Sequence, residues 1–99
     1  MIEYVVTVHA VTASGQDADL DKLDTVGGRL ATYEVAMRVD GPRVWVTVAM
    51  PERWVWEAVR DAVEVVQLAC LAVGEPVEFR AATVYLAEEY ERMIAAEAG

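Results

Sequence analysis

The stretch from Pro51 to Val73 (PERWVWEAVRDAVEVVQLACLAV) constrains this chain more than any other segment. Its polar residues Arg53, Glu57, Arg60, Glu64 and Gln67 recur every three or four positions, which puts them on one stripe of a helix. Val55, Val59, Ala62, Val66, Ala69 and Val73 fall on the opposite side and are the expected packing face. A helix of this length with one long apolar side needs a broad surface to bury it.

The rest of the chain supplies that surface as alternating segments. Residues 2–12 place Ile2, Tyr4, Val6, Val8 and Ala10 on one side, with Glu3, Val5, Thr7, His9 and Val11 on the other. Asp17 is placed to cap a short helix running to about Val26, with Leu20, Leu23 and Val26 inward, and Gly27-Gly28 is read as its stop. Residues 30–39 alternate again, with Ala31, Tyr33, Val35, Met37 and Val39 inward. Asp40-Gly41 signals a hairpin into residues 43–50, where Val44, Val46, Val48 and Met50 face the core and Arg43, Trp45, Thr47 and Ala49 do not. Pro51 opens the long helix, and Gly74 with Pro76 closes it. A last strand is expected over 77–86 with Val77, Phe79 and Ala81 inward, then a terminal helix over 87–98. The order is β-α-β-β-α-β plus one helix, in a single domain spanning residues 1–99. This pattern resembles the ferredoxin-like sandwich, which implies an α+β fold: a four-stranded antiparallel sheet with two helices on one face. That fold carries many functions and selects none.

Composition excludes several classes. At 99 residues and 56% hydrophobic, the chain can build one core. A net charge of −9 argues against nucleic-acid backbones, which need clustered Lys and Arg. One lysine against seven arginines points to a high-GC genome, bacterial or phage. The single cysteine, Cys70, has no internal partner, so a reducing cytoplasm fits. The opening is a strand pattern, not a secretory signal. Within the long helix the uncharged run Val65 to Gly74 is about half of what a membrane span requires.

Candidate chemistry is sparse. Ser14, His9 and Cys70 are each the only residue of their kind, and the sheet is expected to stand between His9 and Cys70, so no dyad forms. Asp17, Asp19 and Asp21 open like a calcium loop, but Lys22 and Gly28 occupy the positions where that loop needs glycine and a bidentate acid. No zinc set exists, and no metal or cofactor is expected. The sheet's open face would show His9, Arg38, Arg43 and Trp45 as a possible ligand face, with Trp45 the one aromatic available for base stacking. On the long helix, Trp54, Trp56, Leu68 and Leu71 flank or interrupt the polar stripe and form a candidate interface. The competing expectation is that the terminal helix folds back over them. These residues point to a non-enzymatic protein that self-associates as a homodimer or binds another protein. One alternative is an acidic adaptor that meets a basic surface through Asp17, Asp19, Asp21, Asp24, Glu88, Glu89 and Glu91. Another is a dimeric α/β barrel with a sheet-lined pocket using His9, Arg38 or Glu34.

Overall fold

The computed structural model describes residues 1–98. β1 (Ile2–Thr12) buries Tyr4, Val6, Val8, Ala10 and Thr12 and leaves the intervening residues half-exposed, as its alternation requires. β3 (Arg43–Glu52) does the same with Val44, Val46, Val48 and Met50. The two strands are paired so that Val6 lies opposite Val48 and Val8 opposite Val46. Each buried valine contributes ~1.5–3 kcal/mol over its exposed state, so this central pair seeds the core. β2 (Ala36–Asp40) and β4 (Val77–Leu86) form the edges, giving the order β2-β3-β1-β4 with every neighbouring pair antiparallel. The class is α+β.

α1 (Leu20–Arg29) and α2 (Val55–Ala72) pack on one face of the sheet, where Leu23, Val26, Ala58, Ala62, Val66 and Cys70 join the strand valines in a single cluster. α3 (Ala87–Ala98) follows β4 without a loop and turns over the other face, beside Glu3, Val5 and Ala49. No helix is long and apolar enough to cross a membrane among the described residues.

Several local expectations are corrected. Asp19, not Asp17, caps α1: its carboxylate accepts from the backbone N–H groups of Asp21 at 3.0 Å and Lys22 at 3.2 Å. Asp19's own N–H is satisfied by Glu75 Oε2 at 3.0 Å, which fixes the helix start two residues later than the acid run suggests. Leu20 consequently points to solvent, and Ala18 is buried instead. Gly27-Gly28 does not stop the helix but lies inside it; a Cβ on Gly27 would sit 3.1 Å from Met37 Cε, so its smallness admits β2's side chain. Residues 31–33 form a 3-10 turn and Glu34 takes a left-handed φ of 55°, so β2 begins only at Ala36. Ala31 is exposed, while Tyr33, Val35, Met37 and Val39 still pack against the core. Pro51 belongs to the end of β3, and α2 opens from Trp54 as an extended cap residue.

α2 is also rolled relative to expectation. Its buried line runs through Ala58, Ala62, Val66, Ala69 and Cys70, leaving Val55 exposed and Val59 half-exposed. Val65, on one flank, lies near Tyr33 and Met50. The opposite flank, bearing Trp56, Val59 and Val63, overhangs β4, where the sheet ends. In β4 the register shifts between His9 and Ala10 of β1: Phe79 pairs with Ala10, but Ala81 pairs with His9. This β-bulge turns Ala81 to the open face and puts Ala82 and Val84 toward the helices, so the strict alternation expected over 77–86 fails after Phe79.

Candidate functional site

Three surface features carry chemistry. The first is a row across the open face of the sheet. Register puts Arg38 of β2 opposite Trp45 of β3, and Trp45 opposite His9 of β1. The imidazole stacks on the indole with centroids 4.8 Å apart and planes 5° from parallel. From the other side the Arg38 guanidinium lies 4.0 Å from the ring centroid. Both faces of Trp45 are therefore occupied, and neither is free for a stacked base. His9 Nε2 is buried without a hydrogen-bond partner among the described residues, so the row is held by ring and cation contacts. In the next row Thr7 and Thr47 share a hydroxyl hydrogen bond of 2.8 Å. Arg43 does not join the stack; it sits one row away, between Asp40 and Val11.

The second feature is a cleft of about 340 Å³ between α3 and the open face. Val5 and Ala49 form its apolar floor, Tyr90 and Ile94 its α3 side, and Glu3 and Glu91 its acidic rim. Tyr90 also leans on Tyr85 at 6.3 Å between centroids. The sequence shows one trace of this cleft: Tyr90 and Ile94 are spaced four apart on the terminal helix, as a packed face requires.

The third is the outer surface of α2. Trp54, Trp56, Leu68 and Leu71 are 56%, 60%, 56% and 61% exposed. α3 lies on the opposite face of the sheet and covers none of them. They do not form one patch: the tryptophans sit at the start of the helix and the leucines near its end, roughly 18 Å apart at 1.5 Å per residue. Glu57, Arg60 and Glu64 lie between them. Trp56 stands on the flank toward β4, with the Arg60 guanidinium 5.2 Å from its ring.

At the junction of β3 and α2, Glu52 and Asp61 share a hydrogen bond. It holds Glu52 above the ordinary carboxylate range and Asp61 below it, with Arg60 lowering Asp61 further through a 3.1 Å contact. Cys70 is buried in the core, and burial pushes its thiol up to about 11, so it is not a nucleophile at neutral pH. It lies behind the sheet from His9, and Ser14 is spent on the backbone N–H of Gln16 at 3.2 Å. No nucleophile–base pair exists among the described residues, and none of their His, Cys, Asp and Glu side chains form a group that could hold a metal ion. No family model, curated protein or solved structure matches the chain.

Proposed function

We propose that this chain is a small acidic, non-enzymatic cytoplasmic protein that acts by associating with a second copy of itself or with another protein. We assign it the ferredoxin-like arrangement. Support comes from the strand order β4-β1-β3-β2, with α1 following β1 and α2 following β3 on a common face.

The observation that carries the functional reading is the exposure of Trp54, Trp56, Leu68 and Leu71 on the outer surface of α2, which no other element among the described residues covers. Large aromatic and aliphatic side chains left in water favour burial against a partner. Sedimentation equilibrium from micromolar to millimolar concentration tests it. A species of twice the 10.9 kDa chain mass is expected. A monomer throughout that range, with no partner recovered in a pull-down, removes the reading. If a partner is found, steep loss of binding with added salt favours the acidic-adaptor form over an apolar contact.

A second reading, small-ligand binding, draws on the cleft beneath α3. With Glu3, Glu34 and Glu91 around an apolar floor, its ligand is an organic cation. Titration with aliphatic amines, followed by chemical shifts of Val5, Ala49 and Ile94, tests it; unmoved resonances at millimolar amine exclude it.

A further inference from the structure

We infer that the free edge of β4, together with the α2 flank above it, is where a second copy of this chain docks. Pairing is antiparallel across a two-fold axis, so that two four-stranded sheets become one of eight strands. This rests on the reading that the protein self-associates, and it names the surface.

The edge is unfinished in three respects. β4 runs for ten residues yet pairs only with β1, and none of its side chains is buried. Its outward backbone N–H and C=O groups have no strand partner among the described residues. The segment Ala81 to Leu86 (AATVYL) contains no charge, proline or glycine. Native edges usually carry such a residue to block pairing with another chain. The helix above is also incomplete on this side. Val59 and Val63 are half-exposed, Trp56 is exposed, and the helix-side residues Phe79 and Leu86 remain 41% and 42% exposed. Standard dimers bury about 800 Å² per partner, more than a strand edge alone provides, so the docked copy must also cover the flank.

A second copy is the occupant because an antiparallel edge is self-complementary under a two-fold axis. Rotation about an axis normal to the sheet keeps each side chain on its own face, so a residue can only oppose one of matching parity. The uncharged window is bounded by the Glu78–Arg80 ion pair (3.0 Å) before it and by the start of α3 after it, which centres the axis on Thr83 or Val84. With the axis at Thr83, Ala81 meets Tyr85 of the second copy and Ala82 meets Val84, small against large, with no like charges opposed. The β2 edge offers no equivalent: it is five residues long and carries Arg38 and Asp40.

Amide hydrogen exchange on the wild-type chain, at a concentration where sedimentation shows the dimer, tests this directly. In β4 of a monomer, or of a dimer formed elsewhere, protected amides alternate with fast ones, because every second N–H points outward. The expected result is unbroken protection from Ala82 to Tyr85 that lapses into alternation on dilution. Thr83→Lys, at an exposed side chain, should weaken the dimer about tenfold or more while its circular dichroism stays that of the wild type and its melting matches that of the wild type diluted to monomer. A dimer with alternating protection, or one indifferent to Thr83→Lys, overturns the β4 assignment and leaves self-association standing. A wild-type monomer overturns both.

Discussion

The two edges of the sheet are built to opposite ends. β2 is short, charged, preceded by a 3-10 turn and fastened by the Arg38 guanidinium lying on Trp45. Its side chains Met37 and Val39 pack inward against the core that α1 covers. β4 is twice as long, uncharged over its second half and overhung by a helix flank that stays wet. An edge closed by its own chain resists further pairing, whereas one left open invites it. The difference also explains the roll of α2. The flank nearest Tyr33 and Met50 meets β3 and its neighbours, while the other finds only the last strand.

The sharpest way to break this contrast compares two valines seven residues apart on α2. Val66→Asp should unfold the chain, because it forfeits ~1.5–3 kcal/mol of burial and leaves an unpaired buried charge against a total stability of ~5–15 kcal/mol. Val59→Asp should leave it folded, since Val59 lies over the open edge and its carboxylate can reach water. Urea denaturation of both variants checks this, and equal loss would mean the two flanks are equally closed. Next in size is Cys70. With its thiol pushed up to about 11 and sealed in the core, it should react with a disulfide reagent at least about a hundredfold more slowly than a free thiol at pH 7, until denaturant is added. Fast native labelling would show the core opening.

Trp45→Ala tests the closed edge. It removes the His9 stack and the Arg38 contact, for a loss of roughly 1–2.5 kcal/mol in a denaturant titration. β2 amides should exchange faster while those of β4 are unchanged. Gly28→Ala should stabilise by about 0.5 kcal/mol, because the residue is helical and a Cβ there meets nothing within 4 Å. A loss instead would restore Gly28 as a helix stop. The smallest effect belongs to Glu52 and Asp61. Asp61's contribution to stability is lost as pH falls through its lowered midpoint, and that of Glu52 is lost as pH rises through its raised one. The two oppose each other, so acid titration of stability should show little slope from this pair. Asp61→Asn should bring the Glu52 midpoint down toward the ordinary carboxylate value, read by carboxyl chemical shift.

Much of the molecule is legible in its sequence. Alternation identifies the buried face of β1 from Tyr4 to Ala10 and that of β3 from Val44 to Met50, because period-two patterns have only two phases, whereas Ile2, expected inward at the strand's start, stays exposed and Thr12 at its end is buried. The hairpin between residues 39 and 44 brought Arg38 and Trp45 to one face, and His9 followed from β1's phase. What escaped depended on contacts distant in sequence. With valines at 55, 59, 63, 66 and 73, α2's packing side spans a broad arc, and only the position of the sheet's end chooses within it. The bulge that turns Ala81 outward leaves no residue signature, since an alanine fits either face. Gly27 looked like a stop because its reason, Met37, lies across the core. The cleft under α3 was hidden for a similar cause: a terminal helix does not announce where it will land.

The link between Glu75 and the backbone of Asp19 spans 56 residues of chain. In an emerging chain, therefore, water serves that donor until a carboxylate translated well after it, at the exit from the second helix, replaces it. The same corner receives the Lys22 ammonium on the carbonyl of Gly74, so both ends of this clasp close together. The start of the first helix thus takes its full set of native partners only once the exit of the second is in place.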